Sequence, residues 1–180
     1  MKIFATLLLT AALPLYAQAP AAGSMQHTAD HVEKAPVPVS HSITVTYQSS
    51  TTTLNVEDLL KLPQVTVHVQ NGHTKAEETY SGPLASDVLA RAGLAPTEES
   101  HATILHSTVV ATGTDGYYVL YSGAEVEPMF ATGKVIVAVM QSGLPISNGG
   151  IQLVNTTDSK PARWVHGLAH LNVMMLAQNK

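Results

Sequence analysis

Apolar residues in this chain recur at every second position, in short runs that Gly, Pro or polar turns soon interrupt. Ile43, Val45 and Tyr47 alternate with Thr44 and Thr46, which is the pattern of a strand with one buried face. Val65, Val67 and Val69 repeat it, and Leu171, Val173 and Met175 repeat it within Leu168 to Leu176. Val135 to Met140 is β-branched and apolar, as in a buried strand. Ile151 to Val154 is strand-like, and a strand from Ala102 to Val110 is expected to lead through Thr114-Asp115-Gly116, a tight turn, into Tyr117 to Tyr121. Helical periods are short. Asn55 can cap a helix carrying Val56, Leu59 and Leu60, which Pro63 stops. A second is expected after Tyr80, with Pro83 in its first turn, Leu84, Val88 and Leu89 on its apolar face, Arg91 in its last turn and Gly93 past its end. Ser122 and Glu125 form a capping box for a third, reaching Phe130. Many short strands with a few short helices predict a β-rich α+β fold with mixed sheets, not a doubly wound one.

The chain has no cysteine, so this fold must rest on a packed core without disulfides. That suits an exported protein, which then cannot form wrong pairings. The N-terminus points the same way. Lys2 precedes an apolar stretch from Ile3 to Leu15, too short for a bilayer span of about 20 residues. Residues 1–19 read as a signal peptide, with cleavage after Ala17, after Ala19 or near Ala21, since Pro20 hinders the A-x-A site. Residues 20–40, rich in Ala and Pro, read as a flexible tether, and residues 41–177 as the domain. The expected location is periplasmic or secreted, with no membrane span after signal removal. Loss of Lys2 leaves 8 basic against 13 acidic groups, a net charge of −5, and no basic run. Nucleic acid is therefore excluded as a partner.

Several short motifs follow one another in order: Tyr80-Ser81-Gly82-Pro83-Leu84, Asp115-Gly116-Tyr117, Gly143-Leu144-Pro145, Gly149-Gly150, Leu153-Val154 and Arg163-Trp164-Val165. In order and spacing they resemble the molybdopterin-binding domain of the sulfite-oxidase-like oxidoreductases, over about Leu54 to Val173. The resemblance implies that fold and molybdopterin as cofactor, in a crevice lined by loops and cationic side chains. It places Asp115, Gly116, Tyr117, Gly149, Gly150, Arg163 and Trp164 at the cofactor-binding positions. Glycine lets backbone N–H groups approach an anion, and arginine grips phosphate with two donors. The same residues also serve as hairpin turns and a core anchor.

The departures from the family concern the metal. Its cysteine ligand is expected near Gln70, where Val67 to Thr79 offers Gln70, Asn71 and His73 instead. A neutral amide is a poor substitute for a thiolate on a soft, high-valent centre. Gln152 stands where the family carries arginine, and Asn155-Thr156 replaces an apolar residue and proline. The expectation is a non-catalytic binding module for a small anionic or pterin-like ligand. The alternative is a molybdopterin-dependent oxidoreductase that holds its cofactor without cysteine and works with a periplasmic redox partner.

A third reading starts from the 9 histidines. His27 and His31 have a ligand spacing for a helix but lie in the tether, and His166 and His170 on a strand would stand about 13 Å apart, too far to share a metal. No metal site is assigned. His68 is expected to face outward, and Asn155-Thr156-Thr157 matches a glycosylation acceptor. There is no Gly-x-Ser-x-Gly element, phosphate-binding loop, Rossmann fingerprint or zinc-protease motif.

Overall fold

Alternation becomes sheet where it was expected. In the computed structural model, which describes residues 36–72 and 75–176, the first run is β1 (Ser42–Tyr47), with Ile43 and Val45 fully buried. It pairs antiparallel with β2 (Ser50–Asn55) and parallel with β12 (Leu168–Met175). β12 in turn pairs with β5 (Ser107–Gly113), and β5 with β6 (Tyr118–Ser122), giving the five-stranded order β2-β1-β12-β5-β6. Leu171, Val173, Val109, Ala111, Val119 and Tyr121 continue the buried face across this sheet. Met175, at the sheet's end, is exposed.

A second sheet, β11 (Val165–His166), β10 (Gln152–Asn155) and β7 (Val135–Ala138), lies inside the domain. Every residue of β7 and β10 is buried; β7 is apolar throughout, as a strand buried on both faces requires, whereas β10 carries the polar Gln152 and Asn155 at its ends. One face, with Val135, Val137 and Leu153, joins the main core under the first sheet. The other, with Ile136, Ala138 and Val154, packs on a smaller core that holds Val67, Tyr80 and Trp164. That second core lies against a third sheet: β3 (Val65–Gln70), β4 (Glu77–Gly82), β8 (Met140–Gln141) and β9 (Leu144–Pro145). The β-rich α+β class is thus as expected.

Several boundaries differ, each for a physical reason. β2 and β4 carry polar residues at most positions, so neither announces itself by alternation; β2 is held by its ladder to β1, where Thr44 meets Thr53 and Thr46 meets Thr51. The expected strand from Ala102 is instead α3 (His101–Leu105). A capping box between Thr97 and Ser100 starts a 3-10 turn at Glu98–Ser100 that feeds it, and Ile104 alone anchors it in the core. The helix after Tyr80 begins later than expected, as α2 (Ala85–Ala90). Pro83 and Leu84 are still engaged with β7: Val137 N–H donates to the Pro83 carbonyl at 2.8 Å, and Leu84 bridges Ile136. Gly82 makes that crossing feasible, since a Cβ there would stand 2.0 Å from the Val137 carbonyl oxygen. α1 (Val56–Leu60) has the expected Asn55 cap. The Ser122–Glu125 capping box is also present, but α4 (Gly123–Val126) stops four residues short of Phe130. Glu127 turns the chain there, its carbonyl accepting from Phe130 N–H at 3.0 Å.

Glu127 is 7% exposed, next to Ser86 and the core residues Leu89 and Ile104. Burial raises its pKa; the Met129 N–H works against the rise, and the nearby Asp87 charge adds to it. A carboxyl raised in the folded state contributes stability below the ordinary carboxylate range, and that stability is lost as pH rises through the folded value. Glu127→Gln removes this loss. We expect the variant to exceed the wild type at pH 7 by on the order of 1 kcal/mol in urea unfolding, with the gap closing below about pH 4.

Candidate functional site

Trp164 is the fixed point from which the site can be built. Its indole N–H donates to the Asn155 carbonyl at the end of β10, 3.0 Å away. Its ring meets Tyr80 edge-on, with centroids 5.6 Å apart and planes at 80°, a geometry worth about 1 kcal/mol beyond burial. Between Asn155 and Trp164 the chain loops out through a 3-10 turn, Pro161–Arg163. Across from this loop stands the end of the β3–β4 hairpin. The two enclose a groove of ≈ 500 Å³ lined by Gly72, Lys75, Ser159, Lys160, Pro161 and Ala162. A recess of ≈ 250 Å³ shares Gly72, Lys75 and Ser159 to Pro161 and runs inward to His68, Gln70, Asn155 and Trp164.

Two ammonium groups set the groove's chemistry. Neither Lys75 nor Lys160 has an ion pair among the described residues, whereas Asp158, the carboxylate that lines the recess, is paired with Arg163. His68 Nδ1 lies 3.2 Å from Glu77, and Asp158 is bound by Arg163 at 2.6 Å. Lys75 also holds a left-handed backbone, φ 60, closing the turn through its N–H to the Asn71 carbonyl at 2.9 Å. The remaining donors are amides and hydroxyls. Such a set suits an oxyanion or carboxylate.

The residues singled out from the sequence divide into two places. Trp164 lines the recess. Asp115, Gly116 and Tyr117 form the β5–β6 turn, where Asp115 accepts from Tyr117 N–H at 2.9 Å and Gly116 has φ 79. Tyr117 reaches the groove's outer wall, its hydroxyl donating to the Ala162 carbonyl. Arg163 is committed elsewhere. Its Nε and Nη2 donate to the two Asp158 oxygens at 3.2 and 2.6 Å, Nη1 donates to Glu125 at 2.9 Å, and the guanidinium lies 4.6 Å over the Tyr121 ring. The Asp158 hydrogen bond leads the contributions that raise its pKa further.

Gly149 and Gly150 stand apart from the groove. Both have positive φ, 77 and 69, and their surroundings are filled by the chain itself. Ser40 N–H donates to the Gly149 carbonyl at 2.9 Å. A Cβ on Gly149 would meet the Gly167 nitrogen at 2.5 Å, and one on Gly150 the Ser40 carbonyl oxygen at 2.3 Å.

Lys75 and Lys160 escaped the sequence reading. The signal was there: a chain with only 9 basic groups places one beside the expected cysteine position and one just before the Pro161-Ala162-Arg163 motif. His68 is exposed as expected. Gln70, at the cysteine's expected place, donates to the Lys75 carbonyl at 3.4 Å. Gln152 is 2% exposed; its Nε2 donates to the Asn148 carbonyl at 3.0 Å, and its Oε1 has no partner. Asn155 is 2% exposed, and its Oδ1 accepts from Thr157 N–H and hydroxyl at 2.9 and 2.7 Å. The folded domain therefore closes that glycosylation acceptor. His27, His31 and His73 lie outside the described residues, and among the described ones no group of three His, Cys, Asp or Glu side chains is placed to hold a metal. With no thiolate anywhere in the chain, the groove's hard N and O donors do not fit a molybdenum centre of the cysteine-ligated kind.

Among solved structures, the chain is similar to the sulfane dehydrogenase SoxCD from Paracoccus pantotrophus, with a TM-score of 0.57 and 16% identity. The two share a fold. The match covers 74% of this chain and 38% of that one, so the chain spans well under half the length of the protein it resembles. No family model and no curated protein matches it.

Gly150→Ala should cost about 3 kcal/mol, combining a left-handed backbone with a clash against Ser40. Thermal unfolding followed by fluorescence of Trp164, the chain's single tryptophan, measures it; a loss under about 1 kcal/mol would contradict the packing described.

Proposed function

We propose that the domain has the sulfite-oxidase-like molybdopterin-binding fold and acts, after export, as a non-catalytic binding module. Its ligand is a small anionic or pterin-like molecule held in the groove between the β3–β4 hairpin and the Asn155–Trp164 loop. The observation that carries this reading is the pair of unmatched ammonium groups, Lys75 and Lys160, on a ≈ 500 Å³ groove. That volume is within the range of small-molecule sites, about 300–1,000 Å³. The lack of a thiolate ligand argues for binding rather than metal-centred turnover.

Trp164 supplies the assay, because it borders the recess. Titration with inorganic phosphate and with a pterin carboxylate should change its fluorescence saturably. Lys75→Ala and Lys160→Ala should each weaken binding by about 1 kcal/mol, roughly fivefold, and should reduce its salt dependence. A wild-type protein that takes up neither probe would sink the reading.

The fold shared with a dehydrogenase favours a second reading, a molybdopterin-dependent oxidoreductase that holds its cofactor without cysteine. Protein recovered from the periplasm of a molybdenum-replete host separates the two. We expect an intact mass beginning between Gln18 and Ala22, with neither molybdenum nor pterin. Both near one per chain would establish the enzyme, and an uncleaved N-terminus would refute export.

A further inference from the structure

The groove's outer wall, Asp158 to Arg163, contains no strand and only the single 3-10 turn Pro161–Arg163. Lys160, half of the proposed anion contact, is in the middle of it. A cation carried on so short a loop is useful to a ligand only if the loop is held before the ligand arrives, because ordering it on binding subtracts from affinity. The loop is in fact tied from both sides. Tyr117 and Tyr121 donate their hydroxyls to the Ala162 and Arg163 carbonyls, the second at 2.5 Å. Arg163 then turns back on its own loop to grip both oxygens of Asp158, while its third bond, to Glu125 at 2.9 Å, fastens the arrangement to α4.

We infer that Arg163 is a positioning residue for the groove: it presets the wall that carries Lys160 by linking Asp158 to Glu125, and it does not contact the ligand. This rests on the reading of the groove as an anion site. Both carboxylates are already matched to the guanidinium, and its face is covered by Tyr121. An incoming anion would have to displace a bidentate carboxylate to reach it.

Glu125 makes the inference testable, because charge and position give opposite signs there. It does not line the groove or its recess. Its Oε2 accepts from Ser122 N–H at 2.8 Å to cap α4, while its Oε1 holds Arg163. Glu125→Gln preserves the cap, since glutamine serves in a capping box as glutamate does. Judged by charge alone, removing a carboxylate and freeing an arginine should tighten binding of an anion. If Arg163 positions the wall, binding must weaken instead. Arg163→Lys keeps the charge and loses the fork, so it should weaken binding too.

The experiment is titration of the full mature chain and both variants with inorganic phosphate over a range of salt, beside hydrogen exchange of the segment from Asp158 to Trp164. Both variants should bind phosphate roughly fivefold more weakly with the salt dependence of the wild type. Their segment should exchange roughly tenfold faster or more. Equal or tighter binding by Glu125→Gln overturns the inference, because an Arg163 freed from one carboxylate would then be gaining the anion as a direct contact. Unchanged exchange overturns it whichever way the binding falls. A wild type that binds no phosphate but shows the exchange difference defeats the anion reading while keeping Arg163 as the wall's clamp.

Discussion

The pairing of β7 with β10 is the constraint on which the rest of this structure depends. Its four residue pairs, Gln152–Ala138 to Asn155–Val135, lie where no water reaches either face, so each backbone group must find its partner within protein. The ladder meets that demand and separates the interior into two cores. Val137 and Leu153 face the five-stranded sheet, while Ile136 and Val154 face Trp164 and Tyr80. Where β10 ends, its last carbonyl, that of Asn155, receives the Trp164 indole. The groove's inner end is thereby hung on a strand buried along its whole length, and only its outer wall needs a separate device.

That device is electrostatic. The chain carries more acidic than basic groups, so it offers an anion no long-range attraction. What it offers is local: Asp158 and Glu125 are matched by Arg163, and among the described residues Lys75 and Lys160 are left without carboxylate partners. Surface ion pairs contribute little to stability one by one. Here the Arg163 cluster gains from a bidentate geometry, a ring beneath the guanidinium and a 13% exposed Asp158 side chain. Its consequence for the groove is geometric: a loop that would otherwise be free to move has one arrangement.

Much of the fold could be read from the order of residues, and the reasons for the failures are instructive. β1, β3 and β12 were legible because one face of each is buried, which imposes a period of two. β2 and β4 were not, because Thr51 to Thr53 and Glu77 to Thr79 satisfy a ladder rather than a core. Ala102 and Ile104 fit either period in so short a run, and the Thr97–Ser100 cap decided for helix. At the site, Trp164 could be recognised as an anchor and Arg163 as a cation. What Arg163 does could not, because its partners stand five and thirty-eight residues away, and proximity of that kind is a property of the fold. Gly149 and Gly150 illustrate the reverse. Glycines let backbone N–H groups come close to an anion, yet the same lack of a side chain also admits the Ser40 backbone, and here it does.

Donor softness separates this groove from a metal centre. A thiolate shares electron density with a high-valent metal and helps to set its redox behaviour; an ammonium or an amide does not. The groove has a concave surface with charge, hydrogen-bond donors and a buried indole at its inner end. On the proposed reading, such a surface discriminates between ligands by charge and shape. What matters for binding on that reading is the rigidity of the Asp158–Arg163 wall and the placement of Lys160. The two carboxylates that flank Arg163 make sense in that light. They forfeit one cation that could have held a ligand, and in exchange the remaining cation on the loop has a defined position.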